Sequence, residues 1–376
     1  MNISRFSSDK AKSQVGDMFE SMDRVKVAVV GCGYWGQNLI RNFAELPDVE
    51  VVAVCDFNLN TLARTKRRYP AVDLRQDLHQ ILTDPHIQAV VIATPVSTHY
   101  PFASQALKHR KHVLVEKPLA TSTRQVLDLM QLADKHNRTL MVDHTFLYTG
   151  AVRRMRSIID AGEIGDLLYF DSVRVSLGLV QSDINVIWDL APHDFSIMDY
   201  LCKASPVAIS AVGAKHLGCA FENMAYVTAY FDRKMIAHFH LNWLAPVKVR
   251  KTLVGGTRKM IVYDDMETVE KVRVYDRGVT VSHDLESRER MLTSYRNGDV
   301  VVPNLDPSEA LRLMAREFID SITQKRLPIC DGYAGYRIVR LLEAAQQSMQ
   351  QNGRPIEITD AVGAHKVDDS ALGVVA

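Results

Sequence analysis

The chain has 376 residues, 47% of them apolar and 24% charged, a composition typical of a globular protein long enough for two domains. Its 45 Lys and Arg residues nearly balance 44 Asp and Glu residues, which argues against a nucleic-acid partner or an anionic membrane surface. No apolar run reaches the ~18 residues of a membrane span, and the five cysteines are scattered without metal-ligand spacing. We therefore expect a reduced, cytoplasmic protein without a metal site.

The first third of the chain alternates between short apolar strands and helices. Before it, residues 1–23 are polar, and we expect them to form a flexible lead-in. The predicted strands are VKVAVV, VEVVAVCD, QAVVIATP, HVLVEKP and TLMVDH, and the predicted helices are QNLIRNFAEL, LNTLARTKRRY, THYPFASQALKHR and RQVLDLMQLADKHN. This alternation is typical of a parallel, doubly wound sheet, to which we assign residues 24–145.

A glycine-rich turn joins the first strand to the first helix. It contains Gly31, Gly33 and Gly36, with Tyr34 and Trp35 between the last two, and fits the pattern G-x-G-x-x-G. The motif alone is weak, but its place between a strand and a helix is that of the Rossmann dinucleotide fingerprint. The first glycine permits the tight turn, the second lets the backbone approach a pyrophosphate, and the third lets helix and strand pack closely. The helix N-terminus adds partial positive charge.

Asp56 ends the second strand, 20 residues after Gly36, where the fingerprint requires an acidic residue. We expect its carboxylate to hydrogen-bond the adenosine ribose and to repel a 2′-phosphate, which favours NAD over NADP. Four basic residues follow, and they leave NADP possible, although a solvated helix face explains them equally well. They are Arg64, Lys66, Arg67 and Arg68.

Two further loops follow strand ends, where the ligands of such sheets bind. The residues of interest are Thr94, Pro95, Ser97 and His99 in the first loop and Glu116, Lys117 and Pro118 in the second. A lysine at a strand end is usually a solvated residue, but this position directs Lys117 toward the cofactor crevice. A cis peptide bond before Pro118 is possible and would fix that direction.

After residue 146 the pattern changes to a series of strands. The segments GDLLYFDSVRVSLG, PVAISAVGAKH, AYVTAYFD, KMIAHFHLNWL, VKVRKTLVG, RKMIVYDD and KVRVYD predict a large, open, mostly antiparallel sheet. Two helices, near 308–324 and 333–351, are expected to cover part of it. We assign residues 146–360 to this α+β domain, and residues 361–376 to a flexible tail.

The segment VIWDLAPHDFSIMDYL, residues 186–201, is largely apolar, but Asp189, His193 and Asp194 lie among its apolar residues. Asp189 and His193 are four residues apart and would share one face of a helix, where a carboxylate can orient an imidazole. Pro192 indicates that the helix either begins near that residue or bends there. A local Asp–His cap is the alternative to a functional pair.

Taken together, these motifs resemble the Gfo/Idh/MocA family of nicotinamide-dependent sugar and polyol oxidoreductases. The resemblance rests on Gly31–Gly36, on Thr94, Pro95 and His99, on Glu116-Lys117-Pro118 and on Asp189 and His193, in the family's order over residues 25–360. It implies a Rossmann domain followed by an α/β domain whose open sheet builds a homodimer or homotetramer. The segment RVSLGLVQSDINVIWDLAPHD looks like the branch that acts on nucleotide-linked or amino sugars.

The resemblance also implies roles for these residues. His193 would exchange the hydroxyl proton, Asp189 would orient it, and Lys117 would bind the reacting oxygen and the cofactor. The cofactor-binding residues would be Gly31, Gly33, Tyr34, Trp35, Gly36, Asp56, Thr94, Pro95, Ser97, His99, Glu116 and Lys117. The substrate-binding residues would be Lys117, His144, Tyr148, Arg174, Asn185, Trp188 and His193, with Arg174 suited to a phosphate. The alternative is that each of these residues has only a structural role, on the surface of a strand or in the core: His144, Tyr148, Arg174, Asn185 and Trp188.

Three functions remain open from the sequence. The first is an NAD(P)-dependent dehydrogenase or ketoreductase that acts on a sugar, possibly at C3 of a UDP-N-acetylhexosamine. The second is a glycoside hydrolase of the same fold that keeps NAD bound, and the third is a non-catalytic nucleotide sensor. Lys117, Asp189 and His193 argue against the sensor, because a sensor needs no proton carrier.

Overall fold

The structure is a computed structural model that describes residues 24–178, 183–232, 235–281 and 293–359. The expected lead-in, residues 1–23, and the expected tail, residues 361–376, lie outside these ranges. The chain divides into two compact units. The first comprises the chain up to Arg153 together with Leu305–Val339, and the second comprises Arg154–Asn304 together with the chain from Arg340 onward.

The first unit contains a six-stranded, fully parallel sheet in the order β3-β2-β1-β4-β5-β6. Its strands are β1 (Val25–Val30), β2 (Val49–Cys55), β3 (Asp73–Arg75), β4 (Ala89–Ile92), β5 (His112–Val115) and β6 (Leu140–Val142). Its helices are α1 (Tyr34–Ala44), α2 (Leu59–Arg68), α3 (Leu78–Leu82), α4 (His99–Lys108) and α5 (Thr123–His136), with 3₁₀ turns at Val96–Thr98 and Thr145–Tyr148. This confirms the predicted Rossmann architecture, whose strand order reverses between β1 and β4 and so opens a crevice there.

The central strands of this sheet are buried on both faces, as apolar runs in parallel sheets usually are. Every residue of β4 is fully buried. Side chains cap the helices that follow: Asn58 accepts hydrogen bonds from the first turn of α2, Asp77 from that of α3 and Ser122 from that of α5. Local capping and the apolar strands therefore specify the same fold.

A later helix, α8 (Ala310–Thr323), also belongs to the first unit and packs against α1. Phe43 and Phe318 meet edge to face with their ring centroids 6.2 Å apart. Ion pairs flank this contact, Arg41 with Glu309 at 2.5 Å and Arg316 with Asp48 at 2.5 Å. The expectation that this helix covers the open sheet was wrong, because its apolar face is complementary to α1.

The second unit contains a nine-stranded sheet in the order β16-β13-β12-β11-β7-β10-β9-β8-β17. Its strands are β7 (Leu167–Leu177), β8 (Ala208–Ala214), β9 (Met224–Tyr230), β10 (Ile236–Asn242), β11 (Leu244–Gly256), β12 (Met260–Asp264), β13 (Val272–Tyr275), β16 (Val300–Val301) and β17 (Ile356–Glu357). A separate two-stranded ribbon is formed by β14 (Gly278–Val281) and β15 (Thr293–Arg296), and three more helices are α6 (Gly150–Asp160), α7 (Val186–Cys202) and α9 (Gly332–Gln350). The pairing is antiparallel except between β7 and β10, which confirms the predicted open sheet.

One face of this sheet is covered by α7 and the other is partly exposed. In β10, Ala237, Phe239 and Leu241 are fully buried, and Phe195 of α7 packs on Phe239 with ring centroids 4.9 Å apart. The intervening residues point the opposite way, and Ile236 is 41% exposed. The two faces therefore differ as the period-two pattern of the strand requires.

Candidate active site

The glycine turn between β1 and α1 has the shape of an anion cradle. Gly31 has φ +89°, and a Cβ there would lie 2.4 Å from the carbonyl oxygen of Ala93; a Cβ on Gly36 would lie 1.9 Å from the carbonyl oxygen of Gly31. A Cβ on Gly33, by contrast, would meet nothing within 4 Å. Gly33 is the N-cap residue of α1, and because no side chain bonds the first amide groups of this helix, those groups can bind an anion. This open space beside free helix amides fits a pyrophosphate.

Asp56 ties the turn to the end of β2. Its carboxylate accepts hydrogen bonds from the backbone N–H groups of Cys32 and Asn58, both at 2.8 Å. Each carboxylate oxygen retains a further lone pair, which can accept a ribose hydroxyl. Of the basic residues that follow, Arg64 contacts Thr61 and Lys66 contacts the Val72 carbonyl, which supports their interpretation as a helix face.

Exposed aromatic residues lie at this turn. Tyr34 and Trp35 are 79% and 50% exposed, and their rings meet edge to face at 5.2 Å. Phe57, which directly follows Asp56 and is not part of the fingerprint motif, is 86% exposed. Because large aromatic rings are costly to expose, these three side chains are suited to contact a bound nucleotide.

The loop after β4 is fastened to the loop after β5 through His99. This histidine is buried, with Nδ1 2.7 Å from the Pro118 carbonyl oxygen and Nε2 2.9 Å from the Thr94 carbonyl oxygen. Burial is the main cause that lowers its pKa. Since both ring nitrogens face protein carbonyls, His99 positions the two loops, which argues against the predicted direct contact with the cofactor. In the same loop Thr94 bonds Thr98 through their hydroxyls at 2.6 Å, while Pro95 and Ser97 remain expected cofactor contacts.

Lys117 follows β5, and the peptide bond between Lys117 and Pro118 is cis. Two carboxyl groups accompany it, Glu116 on the same strand end and Asp143 at the end of β6. Burial and then the charge of Asp143 raise the pKa of Glu116 to about 8. Burial also raises the pKa of Asp143 to about 6, although a hydrogen bond from Thr145 opposes the shift. Asp143 could not be predicted as a site residue, because sequence alone does not reveal its burial.

His144 and Tyr148 follow β6 and are both buried in the first unit. Burial, Arg337 and Lys117 lower the pKa of His144 to about 3, so the imidazole is neutral. Among the described residues, neither ring nitrogen of His144 has a hydrogen-bond partner, and either could bond a bound group. Tyr148 lies against Cys330, and burial raises its pKa well above the usual range. Its predicted contact with substrate stays a prediction.

The predicted helix of Asp189 and His193 is α7, which runs unbroken through Pro192. The helix begins at Val186 because Asn185 caps it, accepting hydrogen bonds from the amides of Ile187 and Trp188 at 3.1 Å each. Asn185 is therefore a capping residue, which argues against its predicted contact with substrate. The helix does not begin near Pro192, since that residue lies inside it.

Asp189 and His193 lie one helical turn apart on α7, as their spacing predicts. The indole of Trp243 donates a hydrogen bond to Asp189 Oδ2 at 3.1 Å. Trp243 is 2% exposed, so it anchors the carboxylate from the buried face of the sheet. Trp188 is also buried, and its indole donates a hydrogen bond to Gln346 of α9. This burial favours a packing role for Trp188 over its predicted contact with substrate.

Arg174 is occupied by a buried ion pair. Its Nε and Nη2 donate to the two carboxylate oxygens of Asp194 at 2.7 and 2.9 Å, and Ser172 donates to the same carboxylate at 3.1 Å. Arg174 and Asp194 are only 5% and 2% exposed. This ion pair argues against the phosphate-binding role predicted for Arg174, because two of its nitrogens already bind a buried carboxylate.

Two family models match the chain. Residues 25–144 match an oxidoreductase family with an NAD-binding Rossmann fold, and residues 152–262 match the GFO/IDH/MocA C-terminal domain. The chain belongs to the Gfo/Idh/MocA family. It is therefore an NAD-dependent oxidoreductase, as the glycine turn indicates. Within the described residues, no helix of this Gfo/Idh/MocA protein is long and apolar enough to cross a membrane, and no cluster of three His, Cys, Asp or Glu could hold a metal ion.

Relatives of the Gfo/Idh/MocA family extend over most of the chain. The oxidoreductase YrbE of Bacillus subtilis, described as uncharacterised, is 22% identical over 347 residues, which are 89% of this chain and 97% of the relative. UDP-N-acetylglucosamine 3-dehydrogenase of Acidithiobacillus ferrooxidans is 26% identical over 338 residues, 85% and 95% of the two chains. The crystal structure of GenD2 from gentamicin A biosynthesis, in complex with NAD, has a TM-score of 0.77 at 21% identity, and the match covers 96% of this chain and 100% of GenD2. At that identity the similarity to GenD2 shows the fold.

Proposed function

We propose that this protein transfers a hydride between NAD and a secondary hydroxyl or ketone of a sugar. We propose further that the sugar is nucleotide-linked, of the UDP-N-acetylhexosamine type, and reacts at C3. The observation that carries the proposal is the position of Lys117, which follows β5 in the same parallel sheet as the nucleotide turn and is flanked by two carboxyl groups. The similarity to UDP-N-acetylglucosamine 3-dehydrogenase supports this choice of sugar.

The chain's own residues divide the work of proton transfer. NAD, when bound, supplies the hydride acceptor. His193 takes the hydroxyl proton during oxidation and returns it during reduction, because an imidazole can both accept and donate a proton. Asp189, anchored by Trp243, orients the imidazole. Lys117 donates a hydrogen bond to the reacting oxygen and stabilises the negative charge that develops there.

We propose NAD as the preferred cofactor over NADP. Asp56 is held at the end of β2 by two backbone amides, so its carboxylate cannot turn away to admit a 2′-phosphate without losing both hydrogen bonds. The exposed residues Tyr34, Trp35 and Phe57 supply the apolar contact for the nucleotide.

Absorbance of the reduced nicotinamide tests the function directly. Purified protein is incubated with NAD or NADP and a panel of UDP- and dTDP-linked hexoses, N-acetylhexosamines and inositols. The expected result is signal growth with NAD and a UDP-linked sugar. If NAD binding is shown separately but no sugar changes the absorbance, in oxidation or in reduction, the proposal of a dehydrogenase is contradicted. Release of a free sugar without net reduction would favour the hydrolase.

The substitution Lys117→Ala tests the mechanism. We expect turnover to fall by roughly 10²–10⁴-fold, because both charge stabilisation and orientation of the oxygen are lost, while NAD binding stays within a few fold. Lys108→Ala, at the exposed end of α4, is the matched control and should leave turnover unchanged. Unchanged turnover in Lys117→Ala would remove this mechanism.

We also propose that the exposed face of the large sheet joins copies of this chain into a homodimer or homotetramer. Val212, Tyr226 and Ile236 are 50%, 38% and 41% exposed on neighbouring strands, and an open sheet with apolar residues on its outer face is usually covered. Sedimentation equilibrium of the same preparation tests this, and a monomer at micromolar concentration would contradict it.

A further inference from the structure

Asp143 forms a pair with Glu116 at the ends of two neighbouring strands. Val115 and Val142 are in register across β5 and β6, and the Asp143 amide donates to the Val115 carbonyl at 2.8 Å. Neighbouring strands lie only ~4.8 Å apart, so the residues that follow them, Glu116 and Asp143, leave the same edge of the sheet side by side. The charge of Asp143 acts directly on Glu116.

The hydrogen bonds of this pair are incomplete if both groups are ionised. Asp143 is 2% exposed; its Oδ1 accepts a hydrogen bond from Thr145 Oγ1 at 2.5 Å, but its Oδ2 has no partner among the described residues. Glu116 Oε2 accepts a hydrogen bond from the Lys117 amide at 3.2 Å. A buried carboxylate oxygen without a donor is costly. One proton on either carboxyl group would supply that donor.

The surrounding charges point the same way. Burial keeps His144 neutral and raises the pKa values of Tyr148 and Cys330, so these three groups carry no charge near neutral pH. Arg337 acts on His144, and Glu317 and Asp331 act on Tyr148 or Cys330, with Arg326 paired to Glu317. Lys117 is the cation whose charge acts on both Glu116 and Asp143. Two ionised carboxylates beside it would leave an excess negative charge in a desolvated place, whereas one shared proton balances the charge of Lys117 against that of the pair.

We propose that Glu116 and Asp143 hold one proton between them near neutral pH and, as a carboxyl–carboxylate pair, keep the Lys117 ammonium group aimed at the reacting oxygen. The raised pKa values of both groups agree with this sharing, which is a property of the pair and of neither residue alone. When the proton leaves at alkaline pH, the second negative charge attracts the ammonium group and draws it away from the oxygen. Both acids are thus positioning residues, and this part rests on the proposed function.

Infrared spectroscopy of the purified full chain tests the shared proton without any assay of turnover. At neutral pH the wild type should show the C=O stretch of a protonated carboxylic acid, and the band should vanish at alkaline pH. Glu116→Gln should abolish the band at neutral pH, and Asp143→Asn should move its disappearance to lower pH by about one unit, because the like charge is gone. Asp128→Asn, which removes a carboxylate bonded to Tyr100 on α4, should change nothing. A wild type without the band, or a band unaffected by both substitutions, would overturn the proposal.

The pH profile of kcat/KM tests the action through Lys117. In Asp143→Asn the pair can carry only one negative charge, so the second charge that draws Lys117 away never forms. The alkaline decline should therefore move to higher pH even though Glu116 itself loses its proton earlier, and KM should stay near its wild-type value. An alkaline decline that does not move would overturn the role of the pair, even if the infrared band behaves as expected. If no sugar is turned over by either protein, the proposed function fails, and the infrared result still decides whether the proton is shared.

Discussion

Replacing Asp194 with asparagine removes the carboxylate that faces the buried guanidinium of Arg174. The two residues bond at 2.7 and 2.9 Å and are almost fully buried, so in the variant a positive charge stays in a low-dielectric interior without its counter-charge. Removing one partner of such a pair costs roughly 3–5 kcal/mol, a large fraction of the ~5–15 kcal/mol that stabilises a typical protein. With a urea m-value of about 1–3 kcal/mol/M, the unfolding midpoint should fall by at least about 1 M.

Urea unfolding followed by tryptophan fluorescence measures this effect in the right part of the chain. Trp188 and Trp243 are both buried in the second unit and report its unfolding. Asp276→Asn is the matched control, because Asp276 pairs with Arg296 at 2.8 Å while both side chains are 43% exposed, and its loss should cost under about 1 kcal/mol. The double variant Arg174→Met with Asp194→Leu should recover most of the loss. Equal midpoints for Asp194→Asn and Asp276→Asn would refute the reasoning and return Arg174 to a ligand-binding role.

Two further predictions concern the first unit. Gly33→Ala should keep the unfolding midpoint, because its Cβ meets nothing within 4 Å, yet it should weaken NAD binding by roughly tenfold, about 1.4 kcal/mol; Gly36→Ala should instead destabilise the fold, because its Cβ would clash with Gly31. Calorimetric titration with NAD measures the affinity, and thermal unfolding measures the stability. Unchanged NAD affinity in Gly33→Ala would exclude this turn as the pyrophosphate site. Burial and then the charge of Arg138 lower the pKa of His112 to about 4. Because the unfolded chain binds this proton more tightly than the folded chain, the free energy of unfolding should fall by roughly 3 kcal/mol as the pH falls from 6.5 to 4. His112→Gln should flatten this part of the pH–stability curve, and a curve parallel to that of the wild type would contradict the assignment.

The architecture of both units could be predicted because its signals are local. The apolar strands, the glycine turn and the acidic residue at the end of β2 all lie within short segments, and the strand order follows from right-handed connections between them. The spacing of Asp189 and His193 likewise predicted a shared helix face. Contacts that a residue makes within its own turn or strand can be predicted from the sequence.

Contacts between distant segments could not be predicted from the sequence. Arg174 binds Asp194, 20 residues later, across a strand and a helix, and nothing in either segment distinguishes that pair from a substrate contact. Asn185 was assigned to substrate although it precedes a helix, where an amide side chain is a good cap. Asp143 was missed because a single acidic residue after an apolar strand is usually solvated, and only the neighbouring strand reveals that it is buried.

The packing of α8 on α1 has a consequence for how the protein is made. The first unit is discontinuous in sequence, with Arg154–Asn304 inserted between its main part and the segment that carries α8. Until that segment leaves the ribosome, Phe43 lacks Phe318 and Arg41 lacks Glu309. At ~5–20 residues per second, the insertion takes roughly ten to thirty seconds to synthesise. During that interval the nascent nucleotide-binding unit exposes an apolar face, and its completion depends on a helix encoded after nearly the whole second unit.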